Sequence, residues 1–366
     1  MVPIAARDIA AVLGGLLVVT AAVSEIGTLI VPRPIGSWLT RLVDRLVNGA
    51  FRMATGAIPD YRRRDRVLAA QAAAILLAQL AAWLGIFFVG YSLLLWPFVP
   101  DITIAFTTAG PALWEIGSST VRGAPERAIQ DIASLSGIIT VTLQIAYLPT
   151  LYSAFNRREN EVALLNARAG VPSWGPELLA RTHYALGSGT STINTLPDLY
   201  AQWERWAADV AESHATYLPL VRFRSPKPLS SWVTALLAVL DSAALILALS
   251  PKEAPVVPAR LCLRSGLLCF NEVASAMGIK IPDVPGAPAV ISLSYGEFLD
   301  AVTRMREVNF PIEREPEQAW PDFVGWRVNY ERAAYAVAAA VDAVPALWSG
   351  PRRHAAHPIA PIRPPK

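Results

Sequence analysis

Few side chains in this sequence are placed to do chemistry, and the most regular set lies in an apolar run. Ser136, Thr140 and Gln144 follow at i, i+4 and i+8 within 132–151, a stretch without any charge. In a helix that spacing makes one polar stripe on an apolar cylinder. Such a stripe faces either a wet cavity or a neighbouring helix, where polar groups hydrogen-bond across the contact. Gly137 sits beside the stripe and Pro149 lies further along the same run. Both are points at which a helix can bend, as hinge and gate, and tight packing accounts for Gly137 equally well. Glu115 is a lone carboxylate in another strongly apolar segment. His214 and Asp241 can be imagined as a catalytic or metal pair, but no ligand spacing supports them. The chain has no HExxH, no CxxC, no nucleophile elbow and no phosphate loop. The tryptophans around His214 favour a structural histidine. Cys262 and Cys269, seven apart, read as small apolar residues on one helix face. The expectation is a protein that is not an enzyme, with no catalytic residue, no metal and no cofactor.

The elements that must position these groups are set by composition. Of 366 residues, 53% are hydrophobic and only 17% charged. A soluble domain carries roughly 25% charged residues, so part of this chain is expected to face lipid. The mean hydropathy of +0.37 excludes disorder for the bulk. Two cysteines exclude a disulfide-built fold, and a net charge of +3 gives no argument for nucleic acid. Three stretches, 9–31, 67–99 and 132–151, reach the length of about 20 residues that a bilayer core demands. The first has Glu25 as its only charge, and the second holds no ionisable group but Tyr91. Arg7 beside Asp8 makes a poor leader n-region, so the first stretch is read as a span and not a cleaved signal.

Loop charges orient the spans. Arg33, Arg41, Arg45, Arg52, Arg62, Arg63, Arg64 and Arg66 crowd the first loop, and Arg157 and Arg158 follow the third span. The basic-inside bias puts those segments in the cytoplasm of a cell whose inner (plasma) membrane holds the protein, with the N-terminus outside. Within the first loop, Trp38, Leu39, Leu42, Val43, Leu46 and Val47 recur at helical spacing opposite Arg41, Asp44, Arg45 and Arg52. That pattern predicts a helix lying on the inner leaflet or packed on a cytoplasmic domain.

The segment 102–118 is too apolar for a solvated loop and too short to span. It has the profile of a half-helix that dips into the membrane and returns as irregular backbone, tolerated there only inside protein or along water. Its part from Ala109 to Ser118, together with Tyr147-Leu148-Pro149-Thr150-Leu151-Tyr152, Phe155-Asn156-Arg157-Arg158-Glu159 and Leu164-Leu165-Asn166-Ala167-Arg168-Ala169-Gly170, resembles the pore module of potassium-channel-type proteins. The likeness is to a bacterial family of channel-like membrane proteins with a helical cytoplasmic domain. Members carry a Thr-Leu-Gly-Phe filter core where this chain reads Glu115-Ile116-Gly117-Ser118. One filter glycine is kept and the threonine is replaced by a carboxylate, so the resemblance implies a filter that is not the standard potassium-selective one. Without an internal repeat, a four-fold pore needs four chains, and Glu115 would then form a carboxylate ring suited to monovalent or divalent cations. The alternative is that Glu115 pairs with Arg122 at a closed mouth.

Beyond residue 156 the pattern is helical and soluble-looking, with helices expected over 158–169, 176–186, 197–222, 229–249, 259–277, 295–308 and 316–344. The run 232–249 is apolar except for Asp241 and is read as the central helix of this domain, its carboxylate paired with an arginine or at a surface. The proline-rich stretch 350–366 is expected to be a disordered tail. The whole is therefore an all-α chain with a membrane pore-like domain over 1–156 and a helical cytoplasmic domain over 157–349. The expected function is a cation conduit in the lipid bilayer, assembled as a homotetramer and regulated by the cytoplasmic domain, whose ligand the sequence does not name. The alternative is a non-conducting membrane-anchored sensor or scaffold that uses the pore fold to oligomerise.

Overall fold

The computed structural model describes residues 4–31, 38–114, 123–184, 192–281 and 290–363. Among them the regular elements are helices, apart from one bridge between Ala346 and Ile359. In chain order they are α1 (Ile4–Leu29), α2 (Trp38–Gly56), α3 (Tyr61–Leu68), α4 (Gln71–Leu95), α5 (Ile102–Ala112), α6 (Ala124–Ala169) and α7 (Gly175–Tyr184). They continue with α8 (Leu196–Thr216), α9 (Trp232–Leu249), α10 (Val256–Ala276), α11 (Tyr295–Arg306), α12 (Pro316–Arg327) and α13 (Glu331–Ala340). The chain divides into two units. One holds Met1–Met53 and Ala70–Tyr152, the other Ala54–Ala69 and Ser153–Lys366.

Among the described residues, four stretches are long and apolar enough to cross a membrane: Ile4–Leu29, Tyr61–Phe98, Ala124–Ala169 and Trp232–Leu249. They differ in what covers them. The protein's own atoms bury 28%, 33% and 33% of the most apolar part of the first three, and 100% of the fourth. Val12, Leu16, Val19 and Val23 on α1, Leu77 on α4 and Ile145 on α6 are all exposed. Apolar faces of that extent need lipid or a partner to cover them.

In the first unit α1 and α4 pack antiparallel. Arg7 donates to the carbonyls of Val99 and Pro100 at 3.2 and 2.9 Å, and the Trp83 indole donates to Ser24 Oγ at 3.1 Å. Between these ties the backbones touch: a Cβ on Gly14 would lie 2.5 Å from the Gly90 carbonyl oxygen. Only small residues allow such an approach, the usual device of helix pairs in lipid. The helix α2 lays Leu39 and Val43 on Trp83 with Leu29, Ala78 and Ala82 around them. Its apolar residues Trp38, Leu42, Leu46 and Met53 stay exposed, as do Arg41 and Arg45.

The chain then turns back on itself through α5. Asp101 caps it by accepting from the Thr103 amide at 3.3 Å, and Pro111 lies in its last turn. Ala105, Ala109 and Ala112 are buried, and Phe106 meets Phe88 of α4 edge-on with ring centres 5.4 Å apart.

In the second unit α9 is the axis of the core. All eighteen of its residues are buried, and α7, α8, α10, α12 and α13 pack around it. Close approach is again made by glycine, Gly175 against Ala238 and Asp241, Gly266 against Leu240. The stretch 316–344, expected as one helix, is two, broken at 328–330. The break lets Arg327 and Tyr330 both reach Asp241. The first-loop arginines also divide. Arg64, one of the loop arginines counted for the orientation of the spans, is fully buried with Nε 2.8 Å from Asp342. The segment 54–69 thus belongs to this unit. The stretch after Gly350 differs from the expected disordered tail. Through Arg363 it is packed on the domain, with Arg352 bound to the carbonyls of Ala343, Val344 and Ser349, and with the Ile362 amide on the Val171 carbonyl. Its prolines remove backbone donors, and the arginine supplies them from a side chain.

Candidate functional site

Glu115, Ile116, Gly117 and Ser118 lie outside the described residues, as does Arg122. Their frame is described. The helix α5 precedes them, α6 follows, and the two are clamped together. Ser134 Oγ donates to the Ala112 carbonyl at the end of α5, and the Leu113 carbonyl sits where a Cβ on Gly137 would be, 2.0 Å from it. Gly137 thus admits the backbone of the α5 terminus.

The polar stripe of α6 is turned toward other helices of the first unit. Ser136 Oγ donates to the Ile132 carbonyl at 2.9 Å, which leaves it to accept from the Tyr91 hydroxyl at 2.6 Å. Thr140 is fully buried, with Oγ1 3.0 Å from Glu25 Oε2 and 2.8 Å from the Ser136 carbonyl. Gln144 is 6% exposed, and its Oε1 has no donor. Of the two surroundings such a stripe can have, the neighbouring helices are those present within one subunit. Glu25 and Tyr91 are the partners that sequence reasoning passed over. Glu25 was signalled by its charge in an apolar run, since an ionisable group there needs a named partner. Pro149 is exposed within an unbroken α6.

In the second unit Arg158 is fully buried and saturated. It donates to the carbonyls of Leu220 and Phe223 at 2.9 and 2.8 Å, pairs with Glu159 at 2.7 Å, and lies 2.9 Å from His214 Nε2. Burial and the Arg158 guanidinium hold His214 well below its ordinary pKa. A guanidinium cannot accept, so Nε2 is the acceptor and the imidazole proton sits on Nδ1, facing Ser213 Oγ at 3.0 Å. Asp241 has different partners, Arg327 and the Tyr330 hydroxyl, the latter at 2.8 Å. Histidine and aspartate are therefore engaged in separate networks. Cys262 and Cys269 are both buried, and burial pushes both thiols up. Among the described residues no three His, Cys, Asp or Glu side chains group to hold a metal ion. Comparison with protein-family models, with curated proteins and with solved structures returns no match to this chain.

Proposed function

We propose that this protein is a channel-like integral membrane protein, a cation conduit assembled as a homotetramer and not an enzyme. In this reading α1, α4 and the first part of α6 span the bilayer, while α9, with no surface left for lipid, is the core of a soluble domain. The N-terminus lies outside and the helical unit lies in the cytoplasm, as the basic loops require. The observation that carries the reading is α5. Eleven residues long, it extends about 16 Å, half of a hydrocarbon core of about 30 Å, and it stands between two spanning-length helices. A half-helix leading into 115–118 supports a re-entrant segment with Glu115 at its mouth. The whole of α6, 46 residues, extends about 69 Å, so its second half continues beyond any bilayer as a helix of the regulatory unit.

The test is cation flux from proteoliposomes holding the purified protein, with Glu115→Gln beside it. Flux whose selectivity changes in the variant supports the filter. Flux unchanged in the variant would sink the Glu115 assignment. A second reading, a non-conducting membrane-anchored sensor or scaffold, is favoured by one observation: Ser136 and Thr140 spend their hydroxyls on Tyr91 and Glu25 within the subunit. Silence of both proteins, with the oligomer intact on cross-linking, would favour that reading.

A further inference from the structure

We infer that the first unit holds a binding site for a monovalent alkali cation inside each subunit, built on Glu25 with Thr140, Gln144 and Gln79. The site is apart from the segment 115–118, and it rests on α1, α4 and α6 spanning the membrane but not on conduction.

Three oxygen acceptors are left over where acceptors are costly. Glu25 Oε1, Gln79 Oε1 and Gln144 Oε1 are buried with no hydrogen-bond partner, on residues 3%, 5% and 6% exposed. A buried polar atom without a partner is destabilising, and a carboxylate far more so. The single hydrogen bond to the carboxylate, from Thr140, leaves its other oxygen bare. Among the described residues no arginine, lysine or histidine is paired with Glu25.

The helices bring these oxygens to one level. Gln144 stands one turn beyond Thr140 on the same face of α6. Gln79 stands one turn before Trp83 on α4, and the Trp83 indole is bonded to Ser24, the residue next to Glu25 on α1. Three different helices thus carry a carboxylate, a hydroxyl and two amide oxygens, with Thr140 bonded to Glu25 and with Gln144 and Gln79 each one turn from Thr140 and Trp83, which tie their helices to α1. All are hard oxygen donors, the set that alkali and alkaline-earth cations take. Charge decides between those two. One carboxylate neutralises one monovalent ion, whereas a divalent ion would leave a net positive charge buried.

The test is thermal unfolding of the full chain in detergent, with sodium chloride exchanged for N-methylglucamine chloride at constant ionic strength. Wild type should melt at a temperature that rises with sodium and saturates, as a ligand of the native state requires. In Glu25→Gln, which keeps the shape, that rise should be lost. Because the variant can perturb folding, radioactive sodium binding is measured too: one ion per subunit in wild type, and at least tenfold weaker binding in Gln144→Met. Equal melting in the two salts, or a sodium response retained in Glu25→Gln, overturns the site. A midpoint that follows pH and ignores sodium also overturns it, and assigns the carboxyl a proton instead. None of these outcomes depends on flux, so failure here and failure of the conduit reading are told apart.

Discussion

Arg158 carries a positive charge to a position where none of its side chain meets water, and a neutral His214 lets it stay there. That arrangement has a pH signature. The folded protein holds His214 below its ordinary value of 6.5, so the unfolded chain takes up a proton that the native state refuses. The stabilisation is complete above pH 6.5 and is lost as the pH falls. Relative to His214→Gln, wild type should lose about 1.4 kcal/mol per pH unit below that value, measured by denaturant unfolding at a series of pH values. A difference that stays flat with pH would show that His214 is not the group refusing the proton. The pair of Asp241 and Arg327 makes a different prediction. Arg327→Met leaves Asp241 and Glu331 buried beside no cation, and should cost about 3–5 kcal/mol in the same measurement. A loss below about 1 kcal/mol would mean that the pair is not as dry as its geometry implies.

At the scale of elements, glycine decides which helices can meet. Gly14 and Gly90 bring α1 and α4 into backbone contact, whereas Gly85, on the same helix as Gly90, has nothing within 4 Å of its missing Cβ. Gly14→Val should therefore lower the melting temperature by the equivalent of about 1–3 kcal/mol or more, because neither backbone can withdraw. Gly85→Ala should leave it unchanged or raise it, since alanine is the better helix former by about 1 kcal/mol. Equal effects of the two would refute the crossing. The same reasoning separates two roles for Gly137. A carbonyl occupies its open side, so a small residue is required there whether or not α6 ever bends.

At the scale of the molecule, the proposed orientation of the spans rests on arginine placement and is open to direct chemistry. Cys262 and Cys269 are buried, so the native chain should be nearly silent to a membrane-impermeant maleimide. Asp101→Cys should be labelled on intact cells, whereas Arg45→Cys and Lys227→Cys should react only after lysis. All three positions are exposed, so burial does not confuse the comparison. Labelling of Lys227→Cys from outside would invert the topology.

Helical class and the apolar runs are legible along the chain. Each depends on the spacing and charge of residues near one another in sequence, which fix periodicity and hydrophobicity locally. The short helix before residue 115 was legible for the same reason, being apolar and brief. What the runs face was not legible. Trp232–Leu249 is as apolar as a span, and only the helices packed around it make it a core. The stripe of Ser136, Thr140 and Gln144 fits a cavity or a helix equally well, until Glu25, 115 residues away from Thr140, supplies the contact. Asp241 finds Arg327 across 86 residues, and Arg64 finds Asp342 across the whole second unit. A polar group in an apolar setting announces in the sequence that it needs a partner. Which partner it has is decided by tertiary packing, because residues far apart in the chain compete for the same buried site and only the folded geometry selects among them.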